Sequence, residues 1–238
     1  MLRNSFVRAL KILREEGPLS LGKRSTVFLR LMARCLYRRQ SVYLYRHSLL
    51  ERRRADFLPR LDNYEVHFVE SPADAERLAA RGLEDLRVRL LTSPRALSCG
   101  AIAFCVYVDA RLVHVGWVAI DEAGKRHVDP IPFRVDFANG EACTGGTYTV
   151  PDFRGKGLMA YGYYERLEYL RRRGFHYSRN SVDVHNTASH KAHAKFSPEI
   201  WGVGRFIRIL FWKSWKESPF EDGPFVGMPP SIASLRNP

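Results

Sequence analysis

Two glycines and two cations stand together at Arg154-Gly155-Lys156-Gly157, the stretch of this sequence best suited to chemistry. Glycine lets backbone N–H groups approach an anion closely. A helix that starts just after such a turn adds unpaired donors and a partial positive charge. Arg154 and Lys156 add two full charges. The lead-in, Val150-Pro151-Asp152-Phe153, follows an apolar run, and Leu158 opens a strongly periodic one. This is a sound design for holding a pyrophosphate. Taken alone, it also describes a tight strand-to-helix connection.

A second block stands one helix and one strand further on: Asn186-Thr187-Ala188-Ser189-His190-Lys191-Ala192-His193-Ala194-Lys195-Phe196. Together the two blocks resemble the GNAT superfamily of acetyl-CoA-dependent N-acyltransferases. The family's loop reads Arg or Gln, two residues, Gly, one residue, then Gly or Ala; Arg154 and Gly157 match, and Met159 departs. In the second block Asn186, Ser189 and Lys195 fall where the family pattern wants them. His193 takes the place of a common Tyr, and the usual Gly before the terminal Phe is missing. The resemblance covers about residues 63–216 and is strongest over 140–200.

The resemblance implies an α/β (α+β) fold: a mixed, mostly antiparallel sheet with splayed central parallel strands and helices on both faces. Acetyl-CoA, or another acyl-CoA, would be the co-substrate, with no metal. It would lie between strands Ala142–Val150 and Phe175–Val184. Tyr148, Thr149, Val150, Arg154, Gly155, Lys156, Gly157, Leu158, Met159, Asn186 and Ser189 would bind it. A strand N–H near Thr147 to Val150 would stabilise the thioester oxyanion. The acceptor amine would attack directly, without a covalent enzyme intermediate.

Such an attack calls for a free amine and a proton for the leaving thiolate. His193 stands where the family has its proton-donating Tyr, and imidazole titrates near neutrality. Glu141 and Asp183, on or beside the central strands, are the carboxylate candidates for the base, with His185 beside them. The bland readings are a His packed in the interior and carboxylates that are structural or exposed.

These groups need positioning by regular elements. Periodicity places helices over Leu2–Arg14, Ser25–Arg38, Leu83–Leu91, Leu158–Arg173 and Asn186–Lys195, and another that Ser71 caps before Pro72. In the Leu158 helix, Ala160, Tyr163, Tyr164, Leu167 and Leu170 make the buried face. Glu165, Arg166, Glu168, Arg171 and Arg172 fall largely off it. Ser41–Tyr45, Tyr64–Val69, Glu141–Val150, Phe175–Val184 and Gly204–Trp215 read as strands, the first of them also as an extended link. Gly100–Val108 and Leu112–Ile120 form a hairpin around Asp109-Ala110-Arg111. Gly145-Gly146 marks a bulge. His127–Val135, with its two prolines, is ambiguous. Trp201, Trp212 and Trp215 read as core or strand packing. The domains expected are a basic helical N-terminal extension (1–60), the acyltransferase domain (61–217) and an irregular tail (218–238).

Charge separates the first of these from the rest. Residues 1–60 carry 15 Lys+Arg against 4 Asp+Glu, a net +11, whereas residues 61–238 carry 23 against 21. An asymmetry of this kind points to an acidic partner. The extension fits packing on the domain or a partner chain, an anionic membrane surface, or an acidic acyl-carrier protein; clustered charge alone also allows nucleic acid, the least favoured reading, since the extension has no recognisable nucleic-acid motif. No run of about 18 apolar residues suggests a spanning helix. The four cysteines show no metal-ligand spacing and read as small buried residues of a reducing cytoplasm. A cytoplasmic location, with or without peripheral membrane contact, is the expectation. The acceptor, whether a small-molecule or a peptide amine, and the oligomeric state leave no mark in the sequence. Two further readings stay open: an enzyme of this fold using long-chain acyl-CoA or an acyl-carrier protein, and a non-catalytic CoA-binding or interaction module.

Overall fold

A computed structural model of the chain describes residues 37–90 and 92–220. The helices expected before Tyr37 and the tail beyond Phe220 lie outside the described residues. In chain order the strands are β1 (Tyr37–Ser48), β2 (Tyr64–Val69), β3 (Ile102–Val108), β4 (Arg111–Ala119), β5 (Glu141–Thr149), β6 (Tyr177–Asp183), β7 (Glu199–Ile209) and β8 (Trp212–Pro219). The helices are α1 (Pro72–Ala80), α2 (Leu86–Arg89), α3 (Ser93–Ser98), α4 (Glu122–Val128), α5 (Leu158–Arg172) and α6 (Thr187–Ala194).

The strands form one sheet in the order β2-β3-β4-β5-β6-β1-β7-β8. The ladders β2–β3, β3–β4, β4–β5 and β1–β6 are antiparallel, and β5–β6 is parallel. Helices cover both faces. Gly116 of β4 lies against the Arg166 side chain of α5, and Ala119, on the opposite pleat, lies against Gly124 of α4. The mixed α/β architecture expected from the sequence is the one observed.

The chain divides into two compact units, Ser41–Gly204 with Glu217–Pro238, and Met1–Gln40 with Arg205–Lys216. The larger unit holds the bulk of the sheet and all six of the described α-helices. Its main core packs Val118 and Ala142 of the sheet against Ala160, Tyr163, Leu167 and Leu170 of α5. Among the described residues of the smaller unit are the first residues of β1 and the end of the β7–β8 hairpin. Arg38 stacks over Phe206 there, 5.8 Å from the ring centroid.

Several local expectations hold. Ser71 caps α1 by accepting from the Asp74 N–H. Asp109 and Ala110 both take left-handed backbone, which makes the β3–β4 connection a two-residue turn. Gly146 and Thr147 together oppose the single residue Gly116, so the bulge marked by Gly145-Gly146 is present in β5.

Others are corrected. Tyr37 and Arg38 open β1 instead of ending a helix, and β1 runs for twelve residues between β6 and β7. Val42, Tyr43, Leu44 and Tyr45 are all buried, on both faces, as in an interior strand. The segment assigned to a helical extension therefore contains a central strand. The helix over Leu83–Leu91 shrinks to α2, capped by Asp85. The apolar run Gly204–Trp215 is not one strand but the end of β7, a turn and the start of β8. Trp212 is exposed, not packed in a core. Among the described residues, no helix is long and apolar enough to cross a membrane.

The largest correction is in α5. Arg166 and Glu168 are buried, although their spacing puts them off the apolar face. Glu168 pairs with Arg171 at 2.9 Å. Arg166 donates to the carbonyls of Gly162 (2.9 Å), Trp117 (3.2 Å) and Gly145 (3.2 Å) and to Thr147 Oγ1 (3.1 Å). Two of these carbonyls flank the bulge on either strand. Hydrogen bonds to charged groups are worth more than neutral ones, and they offset part of the cost of burying the cation. A Cβ on Gly116 would stand 2.6 Å from Arg166 Cζ, so only glycine leaves room for the guanidinium.

That contact is testable. Gly116→Ala and Arg166→Met are each expected to cost about 2 kcal/mol of stability, the first by overpacking and the second by leaving carbonyls without donors. Urea unfolding of both singles and the double should show strong non-additivity, since Met can yield the space that alanine takes. Full additivity would mean that the pair does not act as a unit.

Candidate functional site

The parallel ladder between β5 and β6 is short. Glu141 faces Tyr177, Ala142 faces Ser178 and Cys143 faces Arg179, and there the pairing ends. β5 continues to Thr149 with β4 alone as its neighbour in the ladders. The bulge at Gly146-Thr147 bends β5 as it leaves β6. The two strands thus part from Thr144 onward, and a gap opens toward the C-terminal end of β5. Open α/β sheets bind ligands at such switch points.

That end of β5 feeds directly into the glycine turn. A short 3-10 turn covers Pro151–Phe153; Gly155 (φ 75°) and Gly157 (φ 86°) take left-handed backbone, and α5 begins at Leu158. Any other residue would be strained at both positions. Gly157 is the N-cap of α5 and offers no side-chain cap, whereas α1, α2, α4 and α6 are capped by Ser71, Asp85, Asp121 and Asn186. The first backbone bond of α5 runs from Tyr161 N–H to the Gly157 carbonyl. The first N–H groups of α5 have no partner within the helix, and the helix dipole stands behind them. A Cβ added at Gly155 would meet nothing within 4 Å, so one side of the turn is open.

Arg60 completes this turn and has no signal in the sequence. Its N–H donates to the Lys156 carbonyl (2.8 Å) and its guanidinium to the Gly155 carbonyl (2.7 Å). It therefore braces the loop from a segment 95 residues earlier and brings a third cation beside Arg154 and Lys156. Arg154 donates to the Thr149 carbonyl, and Lys156 sits over the Phe153 ring. Leu158 is buried, Met159 half-buried and Tyr148 exposed. Tyr148, Thr149, Val150 and residues 154–159 thus form one continuous rim. Asn186 and Ser189 lie at the start of α6, where Asn186 Oδ1 accepts from the Ser189 N–H (3.1 Å).

The three acid–base candidates are not brought together. Glu141 opens β5, about 26 Å of strand away from Thr149. It is buried, paired with Arg179 at 2.6 Å, and accepts from the Asp136 N–H. Asp183 ends β6 and accepts from the His185 N–H. His193 is buried on α6, stacked on Tyr45 and edge-on to Tyr163. Burial, with Arg166 and His190 nearby, pushes its pKa down to about 3. It is neutral at physiological pH, so the charged imidazolium that the acid role relied on is not present. His193 instead closes a buried polar chain at the root of the gap. Ser178 Oγ meets Thr144 Oγ1 (3.0 Å), Thr144 Oγ1 meets Tyr163 OH (3.0 Å), Tyr163 OH donates to Asn180 Oδ1 (3.3 Å), and Asn180 Nδ2 lies 3.3 Å from His193 Nε2.

On the opposite pleat of β6 stands a carboxylate that sequence reading missed. Asp129 accepts from Ser181 Oγ (2.6 Å) and from the N–H groups of Ser181 and Ile131. The Val128 carbonyl just before it lies against Gly145, where a Cβ would stand 2.9 Å away. The segment therefore spans from β5 to β6 across the parting strands. Burial raises the Asp129 pKa, against the pull of these hydrogen bonds and of Lys125. Lys125 is itself buried, donating to the Ile131 carbonyl (2.7 Å) and lying over the Phe133 ring. The two prolines of His127–Val135 hid this placement, since they obscure any strand or helix period. Among the described residues, no group of His, Cys, Asp and Glu could hold a metal ion.

The sequence matches the model of the acetyltransferase (GNAT) family over residues 78–197, which span β3 to α6 and so both the gap and the turn. The chain belongs to the GNAT acetyltransferase family. Solved structures with similar folds include a GCN5-related N-acetyltransferase from Sphaerobacter thermophilus, at 13% identity, TM-score 0.42, covering 92% of this chain and 70% of that one. An acetyltransferase of the GNAT family from Colwellia psychrerythraea is 16% identical, with TM-score 0.42 and coverage of 72% and 58%. A GCN5-related N-acetyltransferase-like protein from Streptococcus suis is 13% identical, with TM-score 0.43 and coverage of 80% and 67%. The chain spans less than two thirds of the length of several matched structures. No curated protein matches it.

The buried imidazoles set a pH dependence. His47, His114, His190 and His193 all have pKa values below 6.5, chiefly through burial, with His114 and His193 at about 3. The unfolded chain takes up protons below pH 6.5 that the folded chain refuses. Their contribution is therefore complete above pH 6.5 and is lost as pH falls. For His114 and His193 the loss is about 1.4 kcal/mol per pH unit each, continuing down toward their folded values. Urea midpoints between pH 7 and pH 5 should fall accordingly, and His193→Phe should flatten the slope by about one proton's worth. An unchanged slope in that variant would show that His193 is charged in the folded protein.

Proposed function

We propose that this chain is an N-acyltransferase that moves an acetyl or other acyl group from acyl-CoA to an amine. The observation that carries this reading is a coincidence of place. The gap between β5 and β6 and the uncapped, glycine-lined start of α5 open at the same end of β5. A ligand with a pyrophosphate at one end and a reactive thioester at the other fits that arrangement. Arg60, Arg154, Lys156 and the N–H groups at the start of α5 would hold the phosphates. The unpaired edge of β5 near the bulge would offer an N–H to the thioester oxygen.

In this reading the amine nitrogen attacks the thioester carbon. The C–N bond forms, the C–S bond breaks, and the amine's proton passes to a base while the CoA thiolate leaves. Asp129 is the carboxylate best placed to be that base. It stands over the parting strands, and its raised pKa brings it closer to the neutral range, where a general base works best. Ser181 and the Ile131 N–H fix its orientation. The reading leaves the acceptor open to small-molecule and peptide amines alike.

Calorimetry with acetyl-CoA tests the first half. Binding in the micromolar range is expected, and Gly157→Glu should weaken it by about a hundredfold or more, since it adds a negative charge and a left-handed strain at one point. An absence of CoA binding would make the chain a non-catalytic member of its family. A mass-spectrometric screen of amines then identifies the acceptor. With that acceptor, Asp129→Asn should lower kcat by about 10²–10⁴ while leaving acetyl-CoA affinity unchanged. Full activity in Asp129→Asn would return Asp129 to a structural role.

A further inference from the structure

The described residues of the smaller unit, 37–40 and 205–216, hold six Lys+Arg and no Asp or Glu. Its described part ends in the β7–β8 hairpin, whose two-residue turn is Leu210-Phe211. The tip is apolar and outward-facing. Phe211 is 91% exposed, Trp212 55% and Leu210 51%, and Ile209 is exposed as well. Arg205, Lys213 and Lys216 are exposed around it, and residues 205–216 contain no acid.

Two physical costs are visible at this tip. Four adjacent large apolar side chains stand in water, where single scattered ones are ordinary but a contiguous group marks a contact surface. Leu210 also takes left-handed backbone, φ 55°, at a hairpin position that Gly, Asn or Asp fills without strain. The other two-residue hairpin, at Asp109-Ala110, has a polar residue in its turn. A leucine at the strained position gains nothing for the fold. It gains one more apolar side chain at the tip.

We propose that the β7–β8 hairpin tip docks on an anionic lipid surface, with Leu210, Phe211 and Trp212 entering the headgroup boundary and Lys213, Lys216 and Arg205 facing the lipid phosphates. An indole beside cations is the composition that such a boundary favours. Clustered Lys and Arg draw the surface in from solution, and the apolar side chains retain it. A second copy of the chain is a poor occupant, because two faces of this charge repel. The inference is independent of the acyl-transfer reading, since it rests on residues of the other unit.

Co-sedimentation of the full chain with vesicles tests it, using phosphatidylcholine alone against a mixture rich in phosphatidylglycerol. Binding to the anionic vesicles alone is expected. The Phe211→Ser/Trp212→Ser double variant should weaken it by about tenfold or more, and Lys213→Glu/Lys216→Glu likewise. Leu210→Gly separates docking from folding: it relieves the turn, so the melting temperature should hold or rise while vesicle binding falls. Brominated lipid should quench tryptophan fluorescence in the wild type and much less in Trp212→Phe. Wild-type affinity in the Phe211→Ser/Trp212→Ser variant would overturn the proposal, as would an absence of vesicle binding. A wild-type dimer that the same variant dissociates, without any vesicle effect, would make the tip a subunit interface instead.

Discussion

One buried cation, Arg166, holds in shape the place where β5 parts from β6. Arg166 has no carboxylate among its hydrogen-bond partners; its donors go to carbonyls and one hydroxyl. Those acceptors belong to both strands that flank the β5 bulge and to the helix above it. A burial this expensive persists only where the surroundings require it. What they require is the bulge, because without a fixed bend β5 would continue beside β6 and the gap would close. The same helix opens at the glycine turn, about 12 Å up its axis from Arg166. The glycine turn and the bulge are thus tied to one rigid element, which fixes the distance between them.

The histidines follow from the same burial. The aromatic wall of Tyr45, Tyr163 and Phe196 encloses His47 and His193, and Arg166 lies close enough to oppose their protonation. A neutral imidazole in such a place acts as a polar packing group. It hydrogen-bonds without bringing a second charge next to the guanidinium. The substitution of His for the family's Tyr at position 193 therefore does not put a stronger acid at the site. The hydroxyl near the root of the gap comes from Tyr163, one helix away, through Thr144 and Asn180. On the acyl-transfer reading proposed above, proton transfer would fall to the other pleat of β6, where Asp129 stands.

The features legible in the sequence were those with a local cause. The glycine turn, the Ser71 cap, the Asp109-Ala110 hairpin and the Gly145-Gly146 bulge each depend on a few adjacent residues. The family's two blocks at Arg154–Gly157 and Asn186–Lys195 gave the fold, and with it the parting strands. What escaped reading was set by tertiary neighbours. Helical spacing put Arg166 toward solvent, and only the carbonyls of β4 and β5 explain why it turns inward. Arg60 braces a loop that lies far along the chain. β1 was legible only over Ser41–Tyr45, as a short strand or extended link, because a strand buried on both faces loses its alternation. The β7–β8 turn was hidden because Leu210-Phe211 carries none of the usual turn residues.

On the reading proposed here, the acceptor would meet the face of the sheet that Asp129 occupies, and this explains why its identity is not written in any motif. That face is lined by α4 and by the extended segment Asp129–Val135, whose Ile131, Phe133 and Val135 are buried. The segment is held by backbone-directed contacts: Lys125 to the Ile131 carbonyl, and Asp129 to the Ile131 and Ser181 N–H groups. Contacts of this kind tolerate many side chains between the anchors, so the pocket can change its preference without changing its frame. The glycine turn, where CoA would bind on this reading, has no such freedom. Glycines at φ 75° and 86°, and Gly116 pressed against a guanidinium, admit almost no alternative. A motif survives where backbone geometry leaves one solution, and it fades where side-chain volume alone decides. In this chain the boundary between those regimes runs between β5 and β6.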